Sequence, residues 1–146
     1  MKHILFALAV AMLALSSYAG PATTDATKIF ESYVDLERKF DPAVADLYSD
    51  DATIKNTRRF PDGTSRTMTL PTPKYKQLIK QFMPLAKERG DTNKYSDVAY
   101  KEEDGKVRVT ATRYSDLKKY TSPLSLLIAK KDDQWLIVEE ISESRP

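Results

Sequence analysis

The order of patterns along this chain predicts an α+β domain. Helical spacing of apolar residues comes early and again in the middle, while alternation typical of strands dominates the second half. The late segments are joined by Asp-Gly and Asp-Asp pairs, which suit tight hairpins. Early helices and late strands favour helices laid on one face of a sheet over an alternating parallel fold. The expected architecture is a curved antiparallel sheet whose apolar face is covered by about three helices.

Thr23-Thr24-Asp25 supplies a helix cap, and residues 25–39 follow with Ile29, Tyr33, Leu36 and Phe40 at helical spacing and Phe30 and Val34 beside them. Asp41 then caps a second, short helix with Pro42 in its first position, where a missing N–H costs nothing. Val44, Leu47 and Tyr48 form its apolar face. Residues 51–60 read as a strand, Pro61-Asp62-Gly63-Thr64 as a turn, and Ser65–Leu70 as the returning hairpin partner. Pro71-Thr72-Pro73 opens a third helix that runs to Arg89, with Tyr75, Leu78, Ile79, Phe82, Met83 and Ala86 on its inner face. Pro84 predicts a kink and Gly90 a stop. Strands at 95–102 and 106–115 flank Asp104-Gly105, and strands at 123–131 and 134–142 flank Asp132-Asp133. Val107, Val109 and Ala111 alternate with Arg108, Thr110 and Thr112, as in a half-buried antiparallel strand.

Residues 1–19 read as a secretory signal peptide, with Lys2 and His3 before an apolar run at 4–15 and Ser17-Tyr18-Ala19 as the exit. Cleavage is expected after Ala19, with Ala22 as the second choice. The run is short for a membrane anchor, and no later segment is apolar enough to insert. The expected product is an exported, periplasmic or secreted protein with a single domain at 20–146. The chain has no cysteine, and its one histidine, His3, leaves with the signal. Ser-His-Asp and Cys-His catalysis and the usual zinc ligands are thereby excluded, and neither metal nor cofactor is expected. Lys and Arg number 23 against 21 Asp and Glu, so net charge implies neither nucleic acid nor an anionic membrane surface as partner.

The stretch "DPAVADLYSDDATI" after an amphipathic helix, with "QWLIVEEIS" as the last strand, resembles the nuclear transport factor 2-like (NTF2-like) superfamily, which includes ketosteroid isomerases and SnoaL-type cyclases. The resemblance covers nearly all of 20–146. It implies a cone-shaped sheet with a pocket at its open end, often in a homodimer. It also assigns roles to test. Tyr33 matches the isomerase tyrosine that stabilises an oxyanion, but Asn56 stands where the general-base aspartate belongs, and an amide cannot take that proton. The penultimate strand, "SPLSLLIA", carries no acid to assist the tyrosine. Isomerase chemistry is therefore not expected. Asp50 and Asp51 sit at the helix-to-strand corner, where aspartates bond to nearby backbone groups and hold the turn.

If Asn56 faces the pocket, period-2 alternation places Ile54 and Arg58 beside it, and Arg113 follows Val107, Val109 and Ala111 on one strand face. Tyr33, Ile54, Asn56, Arg58 and Arg113 are the expected ligand-binding residues. Two guanidinium groups in a partly apolar cleft suit a carboxylate or phosphate. Tyr48, Tyr75, Tyr95, Tyr100 and Tyr114 are expected as core or interface residues. Arg59 and Arg66 are expected near each other across the first hairpin, an unfavourable pair unless something anionic intervenes. The leading functional reading is a non-catalytic exported domain binding a small, partly apolar ligand, anionic if the arginines line the site. The second is a protein-interaction module, such as an inhibitor, immunity or envelope-assembly factor. The third is an enzyme pairing a carboxylate such as Asp46 or Asp51 with Tyr33.

Overall fold

The computed structural model describes residues 20–146; the expected signal peptide and its cleavage site lie outside them, except that Ala22 falls within the first helix. Helix α1 is Pro21–Arg38, a short 3-10 helix follows at Pro42–Leu47, and α2 is Thr72–Arg89. The strands are β1 Tyr48–Arg59, β2 Ser65–Leu70, β3 Asn93–Glu103, β4 Lys106–Ser115, β5 Tyr120–Lys131 and β6 Gln134–Ser144. The α+β class holds, and β2 and β4 take the bounds read from the sequence.

Helix α1 starts earlier than its expected cap. Pro21 occupies the first turn, and Thr23 and Asp25 lie inside the helix rather than at its start. At the other end Phe40 sits past the helix with φ +57, donating its N–H to Glu37 O while Asp41 N–H reaches back to Leu36 O. This paired return is the Schellman arrangement, here built on a bulky residue instead of glycine. Helix α2 ends the same way at Gly90, φ +62, with Gly90 and Asp91 donating to Lys87 O and Ala86 O. Pro84 lies within the continuous span of α2. Asp41 caps the 3-10 helix as expected, accepting from Ala43 N–H at 2.9 Å. Asp104-Gly105 and Asp132-Asp133 both adopt positive φ at both residues, the twist that two-residue hairpins need.

Two expectations about the sheet are corrected. It is mixed, not antiparallel: in the order β2-β1-β6-β5-β4-β3, β1 runs parallel to β6. A parallel neighbour needs a long crossover, and here everything from β2 to β5 supplies it. The sheet is also open and does not form a cone. Its edges are β2 and β3, which do not pair with each other. β2 is six residues long and exposed along nearly all its length, so it cannot close the sheet.

Helix α1 crosses β3 to β6, while α2 covers β1. Between helices and sheet lie Phe30, Val44, Ile54, Val107, Val109, Leu124, Leu126, Ile128 and Ile137, all buried. Ile54 of β1 and the strand partners Leu126 and Val109 of β5 and β4 lie in one cross-strand row of the floor. One residue in that row is not apolar: Glu140 of β6, between Ile54 and Leu126, is 2% exposed.

Candidate functional site

The acidic corner that joins the 3-10 helix to β1 is scaffold. Asp50 is exposed and accepts from Lys76 of α2 at 2.6 Å. Asp51 accepts from the Ser49 hydroxyl and from Lys131 at 2.9 Å, tying β1 to the end of β5. The Ser49 and Lys131 hydrogen bonds hold its carboxyl down at about 2. A solvated carboxylate this acidic is a poor base. Asp46 is likewise exposed, 3.6 Å from Lys80. Neither acid expected to partner Tyr33 in an enzyme stands in a buried site.

On the helix-facing side the apolar floor gives way to a polar row one register step further along the strands. Asn56 of β1 lies opposite Ser142 of β6, which lies opposite Leu124 of β5. The Asn56 amide donates to Ser142 Oγ at 3.0 Å, and the Ser144 hydroxyl donates to Asn56 Oδ1 at 2.8 Å. Further across, Arg113 of β4 pairs with Ser122 of β5 and with Tyr95 of β3. Its Nε donates to Ser122 Oγ at 3.3 Å, and its Nη2 donates to the Glu143 carbonyl. Hydroxyl and amide groups thus replace side chains that would extend the core.

Arg113 and Tyr33 do come together. Tyr33, on α1, is 5% exposed, and its ring packs against Phe30 and Tyr95. Two carboxylates share this neighbourhood. Glu37, one turn after Tyr33, accepts from Asn93 Nδ2 at 2.8 Å and from the Tyr95 hydroxyl. Glu140 accepts from the Tyr48 hydroxyl and, at 3.1 Å, from Tyr75 of α2. Burial raises the Glu37 carboxyl above the usual glutamate range, against the opposing hydrogen bonds from Tyr95 and Asn93 and the charge of Arg113. Burial also raises Tyr33, Tyr48, Tyr75 and Tyr95 well above the usual phenol value. Burial alone would pull Arg113 down, but its guanidinium stays above the usual value, with the carboxylates Glu140 and Glu37 among the groups that favour its charge.

Ile54 is a buried core residue beneath this row. Arg58, two alternations from Ile54, is exposed, with its guanidinium 5.9 Å from the centroid of the Phe60 ring. Its strand partner across the hairpin is Arg66, so the like-charge pair is Arg58 with Arg66 and not Arg59 with Arg66. Arg59 points to β6, where Nε and Nη2 grip both oxygens of Glu143 at 2.6 Å.

Glu37 and Glu140 were missed by sequence reasoning for different reasons. Glu37 was findable: it falls four residues after Tyr33 and seven after Phe30, on the buried stripe of α1. Glu140 was not. Ile137 is buried, so strict alternation would aim Glu139 inward and Glu140 outward. A bulge opposite Leu127 and Ile128 inserts Val138 and reverses the phase, which turns Glu140 into the core. Among the described residues, no cluster of three or more His, Cys, Asp or Glu could hold a metal ion.

No protein-family model and no curated protein matches this chain. Solved structures do. A protein with a cystatin-like fold from Caulobacter vibrioides superposes with a TM-score of 0.65 at 12% identity, over 85% of this chain and 89% of that one. An NTF2-like protein of unknown function from Pseudomonas putida KT2440 gives 0.64 at 9% identity, over 83% and 84%. Another from Shewanella oneidensis MR-1 gives 0.60 at 20% identity, over 84% and 98%. At such identities the likeness is one of fold.

Proposed function

We propose that this chain, NTF2-like in fold, is an exported domain that binds a small, partly apolar, anionic ligand on the helix-facing side of its sheet without catalysing a reaction. The observation that supports this reading is the polar row Asn56, Ser142, Ser144, Ser122 and Arg113, set beside an apolar floor. Convergent polar groups against an apolar wall are the usual make-up of a small-molecule site. Arg113 supplies a charge held in place by Ser122 and Glu143 O, and Arg58 supplies a second with no carboxylate partner among the described residues. Tyr33 closes the helix side. Catalysis is not favoured, because Glu37 and Glu140 already receive two donors each from the protein and Glu140 is buried.

The test uses 1-anilinonaphthalene-8-sulfonate, an apolar anion that fluoresces when sheltered. Wild type binds it, and alkyl or aryl carboxylates displace it. Arg58→Ala weakens binding by roughly 1.5–3 kcal/mol, the range for a charge-assisted hydrogen bond. Arg58→Lys recovers part of the loss, since an ammonium cannot make two parallel bonds. Binding that is indifferent to Arg58 and to Asn56→Ala would overturn the reading.

A second reading has its own observation. Phe82 and Leu85 on α2, and Ile141 and Val98 on the sheet, are large apolar side chains left exposed. Ile141 also lines a cleft of about 300 Å³ on the face away from the helices, with Thr57, Pro123 and Ser125. A protein partner, or a second copy of this chain, would cover such a face.

A further inference from the structure

The balanced net charge of the chain conceals a cluster of exposed cations at one end of the sheet. Because β1 and β6 are parallel and β5 is antiparallel to β6, the ends of β1 and β6 and the start of β5 lie together. That end holds the turn after β1, the turn before β5, and the residues after β6. It carries Arg58, Arg59, Arg66, Lys118, Lys119 and Arg145, all exposed. Three acids there are engaged: Glu143 by Arg59, which is thereby paired, Asp116 by Thr92 and Lys94, and Asp62 by Thr64. At the other end, Asp104, Asp132-Asp133, Asp50 and Asp51 are interspersed with Lys106, Lys130, Lys131 and Lys76, and three of those acids lie within salt-bridge distance of a lysine.

Two further features mark the basic end. Its two turns present large apolar side chains to solvent, Phe60 at 37% and Leu117 at 44% exposure. Between them runs a groove of about 620 Å³ lined in part by Arg59, Lys118, Lys119, Tyr120 and Arg145. Its floor is fixed: Arg145 N–H donates to the Tyr120 hydroxyl at 3.1 Å, Lys118 Nζ donates to Arg145 O at 3.1 Å, and the Arg145 guanidinium lies 5.3 Å from the Tyr120 ring centroid. Arg58 and Arg66 face each other as strand partners with no acid between them. Like charges directly opposite destabilise a hairpin, so their presence asks for an anion outside the protein.

We infer that this end of the sheet docks on the phosphate headgroups of an anionic lipid bilayer, with Phe60 and Leu117 dipping into the interface and Lys118, Lys119 and Arg145 of the groove taking the phosphates. Clustered Lys and Arg draw a protein to an anionic leaflet, and apolar tips beside them add interfacial burial. The binding is peripheral; among the described residues no helix is long and apolar enough to cross a membrane. It shares Arg58 with the proposed ligand site, but its groove residues Lys118, Lys119 and Arg145 belong to it alone.

The test is co-sedimentation of the full chain with phosphatidylcholine vesicles, with and without phosphatidylglycerol. Residues 1–19 contribute alike to every variant, so differences between variants report the groove. Wild type sediments with the anionic vesicles and much less with the neutral ones. Lys118→Gln combined with Lys119→Asn lowers partitioning onto the anionic vesicles by roughly twenty-five-fold, about fivefold per cation. Asn is chosen at 119 because it tolerates the left-handed backbone there, φ +56. Phe60→Ser with Leu117→Ser weakens the binding that survives high salt. Unchanged melting temperatures show that the variants fold. Equal binding to both vesicle types, or no loss in the double lysine variant, overturns the inference. So does displacement by millimolar inorganic phosphate, which assigns the groove to a free anion, or retention of single-stranded DNA without vesicle binding.

Discussion

Glu37 shows how one side chain links packing to titration. It sits at the last turn of α1, is held by Asn93 and Tyr95, and faces Arg113, Tyr33 and Glu140. Its folded pKa is raised from 4.5. Between that unfolded value and the raised folded one, the folded state holds more protons than the unfolded state, so rising pH removes stability. The contribution is fully present below 4.5 and lost once pH passes the folded value. Glu37→Gln abolishes this titration. The stability of wild type relative to Glu37→Gln, from chemical denaturation, should therefore fall as pH rises above 4.5. A difference that stays flat, or rises, would mean the carboxylate is not desolvated in the folded protein. Glu140 is the companion case. Glu140→Ala leaves the Tyr48 and Tyr75 hydroxyls without their acceptor and opens a hole in the floor, with an expected loss of about 3–5 kcal/mol in the same measurement.

At the scale of elements, the two helix ends solve one problem with different residues. Both α1 and α2 stop by turning a residue into the left-handed region, Phe40 in one and Gly90 in the other. For Gly90 the space around an added Cβ is empty, so only the backbone penalty applies. Gly90→Ala is expected to lower stability by about 1 kcal/mol, read as a shift in the denaturation midpoint with an unchanged slope. Phe40 accepts that strain already, and the return fixes the last turn of α1 that carries Glu37. The bulge in β6 does comparable work for the sheet. One extra residue, Val138, reverses which glutamate of Glu139-Glu140 meets the core and which meets Arg108 at 2.9 Å on the other face.

For the whole molecule, the parallel pairing of β1 with β6 sets the functional geography. It brings Asn56 beside Ser142 and Ser144, and it gathers the basic turns at one end. Neither arrangement follows from composition, since 23 cations and 21 anions predict no electrostatic preference. Export is the proposal at this scale that remains separate from the geometry. The intact mass of the protein recovered outside the cytoplasm should correspond to a start at Gly20, and a mass that keeps residues 1–19 would remove the signal-peptide reading.

What the sequence determined by itself was local. The caps, turns and alternation that mark Asp41-Pro42, Gly90, Asp104-Gly105 and β4 act within a few residues, so each could be read without knowing its neighbours in space. The exclusion of cysteine chemistry was equally local, because no fold can supply a cysteine that the chain lacks. Of the site, Tyr33 and Arg113 were legible as residue types on inward faces, and Glu37 lay on a stripe that could have been read. Tertiary structure decided the rest. Strand order is a contest among long-range pairings, and it placed β1 against β6, left β2 and β3 as open edges, and ruled out the cone. Glu140 entered the core because a bulge shifted the phase of β6, and a bulge is set by the partner strand as much as by the strand itself.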